Sequence, residues 1–210
     1  MGFRVGILTV SDKGARGQRV DTSGGAIREL LGGLEAQVER YEVVPDEQEV
    51  ISGRLRAWAD EDGLDLILTN GGTGLSPRDV TPDATLAVVD RLVPGMAEAM
   101  RQAGLSATPM AMLSRAVVGV RGRTLIVNLP GSERGVRQNL AQILPVLPHA
   151  LETLRGEAGD HVATPKGVQS DSAGQKPAAW GSTSRRPGGS GDLDENAAPE
   201  RRAGQGGTAP

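Results

Sequence analysis

The chain contains no cysteine, and this one absence removes a disulfide framework, a zinc–thiolate site, an iron–sulfur cluster and a cysteine nucleophile. The fold must rest on packing and hydrogen bonding. Aromatic residues are nearly missing as well: two Trp, one Tyr and one Phe among 210 residues cannot build a stacking platform for single-stranded nucleic acid. There are two histidines, His149 within a helical stripe and His161 in a Gly/Ser-rich segment, and neither is placed to serve as a general base. No apolar run approaches the roughly 18 residues of a membrane span. The opening MGFRVGILTV has one basic residue and a short β-like apolar run, not the basic leader and longer apolar core of a signal peptide. The 23 basic and 26 acidic side chains are interspersed, so the clustered positive field that nucleic acid or an anionic membrane requires is lacking. The expectation is a cytoplasmic protein that handles a small ligand.

What is present is a regular alternation. Phe3 to Val10 is β-branched and apolar and ends in polar Ser11 and Asp12, as a buried strand does when it delivers a loop at its C-terminal end. Ala26, Ile27, Leu30, Leu31 and Leu34 recur at helical spacing behind Thr22 and Ser23, either of which is placed to cap. Gln37 to Val44 reads as a strand, Pro45 breaks it, and Val50, Ile51, Leu55, Trp58 and Ala59 mark a second helical stripe within 46–62. Leu64 to Thr69 is a third strand. Strand, helix, strand, helix, strand argues for βαβ crossovers. The fold class is therefore α/β, a three-layer α/β/α domain with a mostly parallel central sheet. Helical patterning follows over 84–91 and 95–103, then two short strands, 117–120 and 124–128, about the turn Arg121-Gly122-Arg123. The closing stripe from Val136 to Leu154 contains Pro145 and Pro148, which should kink or split it. Beyond Gly156 the large apolar residues are only Val162, Val168, Trp180 and Leu193, too few to offset ordering entropy. The expected division is a folded domain over 1–156 and a disordered Gly/Pro/Ser-rich tail over 157–210.

Three loops follow apolar strands and carry the candidate chemistry. Asn70-Gly71-Gly72-Thr73-Gly74 places three glycines in four positions, which lets backbone N–H groups curl toward an anion. A tight β-to-α turn is the competing account, since neither a Lys-Ser/Thr pair nor G-x-G-x-x-G spacing is present. Asp46 and Asp79 should share the C-terminal edge of the sheet. Paired carboxylates there suit Mg²⁺ on a nucleotide, while helix capping is the plainer role for Asp46. Asn128-Leu129-Pro130-Gly131-Ser132 also follows a strand and opens a helix, and Ser132 can cap that helix or help cup an anion.

V-P-D-E at 44–47, G-G-T-G at 71–74, R-D-V-T-P at 78–82, L-S-R at 113–115 and N-L-P-G at 128–131 together resemble the molybdopterin adenylyltransferases. They are also similar to the G domains of plant and animal two-domain molybdenum-cofactor proteins. The resemblance spans 3–156 and implies a three-layer fold, usually trimeric, that takes molybdopterin and Mg-ATP and forms adenylylated molybdopterin and pyrophosphate, with a separate molybdenum insertase acting afterwards. It implies catalytic and metal-holding duty for Asp46 and Asp79. Ligand contacts would come from Ser11, Asp12, Gly71, Gly72, Thr73, Gly74, Ser114, Arg115, Asn128, Pro130, Gly131 and Ser132. A molybdopterin carrier on the same scaffold is the alternative. One departure stands out: Glu133 occupies a position where many relatives carry a second proline.

Overall fold

The computed structural model describes residues 2–157. The elements, in chain order, are β1 (Phe3–Val10), α1 (Asp12–Ala15), α2 (Thr22–Leu31), β2 (Ala36–Val44), α3 (Gln48–Arg56), β3 (Leu66–Asn70), α4 (Thr81–Leu86), β4 (Arg91–Leu92), α5 (Pro94–Leu105), β5 (Val118–Arg121), β6 (Thr124–Leu129), α6 (Glu133–Ile143) and α7 (Leu147–Arg155). The expected tail falls, apart from Glu157, outside the described residues.

The six strands form one sheet in the order β2-β1-β3-β6-β5-β4. The first four are mutually parallel, and β5 runs antiparallel to both β6 and β4. Side chains alternate across this sheet with period two, which produces two cores. Val5 and Ile7 of β1, Leu66 and Leu68 of β3, and Leu125, Val127 and Leu129 of β6 face Ile27, Met100, Val136, Leu140 and Leu151. The intervening Leu8, Val10, Ile67 and Ile126 meet Ile51, Leu55, Trp58, Ala84 and Val88 on the opposite side. Strands buried on both faces have to be apolar almost throughout, and β3 and β6 are buried at every position.

Three local outcomes differ from expectation. Asp21, not Thr22 or Ser23, caps α2: its carboxylate accepts from the Gly24 N–H at 2.9 Å. The stripe through Trp58 leaves α-geometry at Ala57 and ends in a π-type turn, Ala57–Glu61. Arg91, expected at a helix end, belongs to the two-residue edge strand β4, because α4 stops at Leu86. The prolines near the C-terminal end act as expected, with a 3₁₀ turn at Leu144–Val146 separating α6 from α7.

Candidate active site

The chain steps from central β1 out to β2 and then returns to the other side of β1 as β3. Such a reversal opens a crevice at the C-terminal ends of the two strands, where α/β sheets bind ligands. A cavity of about 360 Å³ lies there, lined by Thr9, Val10 and Ser11 after β1 and by Asn70, Gly71 and Gly72 after β3. Asp21, Thr22 and Ser23 at the start of α2, Gly131 and Ser132 at the start of α6, and Asp46 complete the wall. Two helix N-termini therefore open onto one cavity, and their unpaired N–H groups favour an anionic guest. Ser132 caps α6 through the Gly135 N–H at 3.2 Å. Glu133 is the first residue of α6 and pairs with Arg137. Proline is tolerated at that position too, so either residue is compatible with a helix start there.

The glycine loop serves both accounts offered for it. Gly71 and Gly72 have φ of +98° and +61°. A Cβ would stand 2.3 Å from the Val10 carbonyl oxygen at Gly71 and 2.5 Å from Thr81 Oγ1 at Gly72. The turn itself thus demands glycine twice. Yet the amides of Gly72, Thr73 and Gly74 find no acceptor among the described residues, so the same turn leaves donors free for a ligand.

Asp46 does not cap α3, whose cap position is Glu47. It is locked to Asp12 by two reciprocal bonds: the Asp12 N–H donates to Asp46 Oδ2 at 2.7 Å, and the Asp46 N–H donates to Asp12 Oδ1 at 3.2 Å. Burial raises the Asp46 pKa above the ordinary range, the Asp12 N–H pulling downward and the charge of Asp12 adding to the rise. Asp12 moves the other way, held down by its hydrogen bonds from Arg78. Asp79 stands at the far end of the glycine loop, where Oδ2 accepts from the Ser76 N–H at 2.9 Å. Asp79 and Asp12 are not part of the cavity wall.

A second cavity, about 260 Å³, opens on the other side of the glycine loop and takes in Thr73, Gly74, Ser114, Pro130 and the apolar Met110 and Leu113. Ser132 lines both cavities. All the expected ligand residues except Asp12, Arg115 and Asn128 are thereby shared between two adjoining spaces, one rich in donors and one more apolar. Two of those three do other work. Arg115 donates from Nε to the Gly74 carbonyl at 2.9 Å, reaches the Asp79 carbonyl, and forks onto Asp83 at 3.1 and 2.8 Å; it pins the glycine loop from beneath. Asn128 is wholly buried and donates to Thr69 and Thr85 at 3.0 and 2.9 Å. Its side chain ties β6 to β3 and α4, and it faces neither cavity.

Sequence reasoning missed a polar chain across the cavity floor. Tyr41 donates to Asp21 at 2.6 Å, Thr9 donates to the same carboxylate, and Thr9 Oγ1 lies 2.9 Å from Asn70 Oδ1. Burial pushes the Asp21 pKa up, but the Gly24 N–H and the two hydroxyls outweigh it and hold the group below its ordinary value. The Tyr41 phenol is pushed up to about 12, first by burial and then by Asp21. The signal was available: Asp21-Thr22-Ser23-Gly24 directly precedes a helical stripe, and Asp ranks above Thr as a cap.

The fit of a nucleotide-borne cation is testable on the same side chains. Among the described residues no three His, Cys, Asp or Glu side chains converge as a self-sufficient cage. A Mg²⁺ ion carried on phosphates needs only one or two protein carboxylates. Asp46 keeps Oδ1 clear of protein hydrogen bonds, and the buried Thr81 hydroxyl beside Gly72 has no partner among the described residues. Oxygen donors crowded around a missing Cβ suit a hard cation.

A family model described as a probable molybdopterin binding domain matches residues 6–149, and the chain belongs to that family. The molybdopterin adenylyltransferase of Helicobacter pylori J99 is 39% identical over 156 residues, 73% of this chain and 89% of the relative. The molybdopterin adenylyltransferase of Escherichia coli K12 is 43% identical over 140 residues, 66% of this chain and 72% of the relative. Gephyrin of Dictyostelium discoideum is 41% identical, but this chain spans only 22% of its length. Among solved structures, the molybdopterin biosynthesis enzyme MoaB of Thermus thermophilus superposes with a TM-score of 0.70 at 65% identity, covering 73% of this chain and 97% of that one.

Proposed function

We propose that the protein is a molybdopterin adenylyltransferase. In this reaction an oxygen of the pterin's terminal phosphate attacks the α-phosphorus of ATP, a P–O–P bond forms, the bond from the α-phosphorus to the β-bridging oxygen breaks, and pyrophosphate leaves. The observation that carries the reading is the pair of adjoining cavities divided by the glycine loop, since transfer between two substrates requires both to meet at one wall. The phosphate nucleophile is already anionic and needs no histidine base; among the described residues no histidine lines either cavity. His149 sits in α7 and lines neither.

The chain's own residues would position and neutralise. Free amides of the glycine loop and of the α6 start offer fixed donors to charge that develops on the phosphate oxygens. Asp46 and Asp79 would hold Mg²⁺, with Thr81 at hand, and the ion when bound supplies charge neutralisation on the nucleotide. Ser11, Gly71, Gly72, Gly131 and Ser132 would contact substrate in the first cavity, and Thr73, Gly74, Ser114 and Pro130 in the second. The trimer implied by the resemblance gains support from an exposed apolar stretch, with Met110 at 63% and Met112 at 66% exposure, and light scattering on the purified protein tests it. No helix among the described residues is long and apolar enough to cross a membrane; the resemblance implies a cytoplasmic reaction whose product would pass to a separate molybdenum insertase.

Incubation of the purified chain with molybdopterin, Mg²⁺ and ATP tests the reading. Adenylylated molybdopterin and pyrophosphate should appear in equal amounts; molybdopterin bound without either product would leave a carrier.

A further inference from the structure

We infer that Asp12 is a positioning residue, not a ligand contact, and that with Arg78 it couples the loop of Asp46 to the loop of Asp79. The observation is the saturation of its carboxylate. Oδ1 accepts from the Asp46 N–H at 3.2 Å and from Arg78 Nη2 at 2.8 Å; Oδ2 accepts from Arg78 Nη2 at 2.9 Å and from Arg78 Nε at 3.2 Å. Its own N–H is spent on Asp46 Oδ2 at 2.7 Å. No lone pair is left in good geometry for a substrate. Three loops meet on this one side chain: the exit of β1, the exit of β2, joined to the first also by a Ser11 N–H bond to the Val44 carbonyl at 2.9 Å, and the end of the glycine loop, where Arg78 adjoins Asp79.

Stability alone does not explain the arrangement. The Arg78 side chain is 56% exposed and that of Asp12 28%, and ion pairs so exposed contribute little to folding. A forked guanidinium on a carboxylate does fix direction. Because Arg78 and Asp79 are consecutive, the fork that orients Asp12, and through it Asp46, also fixes where the glycine loop carries Asp79. The two candidate catalytic carboxylates are thus set relative to each other by a link that touches neither substrate. A misplacement of ~1 Å in such a set can lower a rate about 100-fold.

The kinetic part of this inference rests on the adenylyl-transfer reading; the structural part does not, so the test has two arms. In the first, amide hydrogen exchange is compared for wild type and Arg78→Ala. Exchange at Asp12 and Asp46 should quicken about tenfold or more, while amides of β3 and β6 hold their protection. In the second, turnover and molybdopterin affinity are measured for Arg78→Ala, Arg78→Lys, Asp12→Ala and the double Arg78→Ala/Asp12→Ala. The expected result is a roughly 10- to 100-fold fall in kcat for each alanine variant, with pterin affinity within about threefold of wild type. Lysine, which keeps the charge but loses the fork, should restore only part of the loss. The double variant should be no worse than the poorer single. Additive losses, or lost pterin affinity in Asp12→Ala, would overturn the inference. Unchanged exchange at Asp12 and Asp46 would do so even in a chain with no adenylylating activity.

Discussion

Asp46 and Asp65 are two half-buried aspartates at opposite ends of the same sheet, and burial pushes both pKa values up. At Asp65 that push is beaten. Arg155 donates from Nε and Nη2 at 2.8 and 2.7 Å, and the Arg4 N–H adds a bond at 2.7 Å, so the group lies below the ordinary range. Arg4 in turn forks onto Glu39 at 2.9 and 2.8 Å. At Asp46 no cation among the described residues pairs directly, and the neighbouring charges of Asp12 and Asp79 add to the rise. One end of the sheet has its charges matched and the other has carboxylates in excess. A matched cluster serves folding, whereas an unmatched one is a cost that persists where a ligand will offset it.

The largest expected effect comes from breaking the unmatched end. Asp79→Asn keeps an oxygen for the Ser76 N–H and removes one charge, so turnover should fall about 100-fold or more while the melting temperature barely moves, the scale for losing one preorganised electrostatic contact. Near-wild-type turnover would take Asp79 off the catalytic roster. Next comes Asp65→Ala. Both side chains of the Asp65–Arg155 pair are only 14% exposed; Arg155 keeps the Gly2 carbonyl and the Phe3 ring, and loss of the carboxylate that takes two of its bonds should cost about 2–3 kcal/mol of stability, read by denaturant titration, with activity per folded molecule intact. Third is Gly72→Ala, which forces a side chain into positive φ and against Thr81; a loss of ~1–2 kcal/mol is expected, together with weakened nucleotide binding by calorimetry.

How legible all this was in the sequence depended on whether the signal was periodic or geometric. β1, β2 and β3 were found to within two residues: β1 and β3 because strands buried on both faces must be apolar, and the half-exposed edge strand β2 because Pro45 marks its end. β4 was lost because two exposed residues carry no pattern. Asp46 was visible as a polar residue at a strand exit and Asp79 as one at the end of the glycine loop. Asn128 and Arg115 sit in neighbouring motifs, and their side chains bond to Thr69 and Thr85 and to the glycine loop and Asp83, a direction that depends on the fold and not on place in the chain. Thr9, Asp21 and Tyr41 were overlooked for the converse reason: they are far apart in sequence and meet each other and Asn70 only through the parallel register of β1 with β2 and β3 and the start of α2.

A smaller effect should appear in the acid limb of the stability curve. Asp65 has a depressed native pKa, so its contribution is fully present above the ordinary Asp value of about 4 and is lost as pH falls through the native value. Asp65→Asn should therefore flatten the acid limb. Asp46 has a raised native pKa, so its cost is present above that value and is relieved as pH falls through it. Asp46→Asn should remove that relief and steepen the limb slightly. Matching slopes in the two variants would mean that the two ends of the sheet do not differ as described.

Measuring turnover and melting temperature together on Asp46→Asn and Asp65→Asn tests the whole account most directly. Asp46→Asn should hold or slightly raise the melting temperature at pH 7 while adenylylation drops about 100-fold, and Asp65→Asn should lower the melting temperature while each folded molecule still turns over at the wild-type rate. Loss of both properties in both variants, or the reverse assignment, would contradict the separation of a catalytic edge from a structural one.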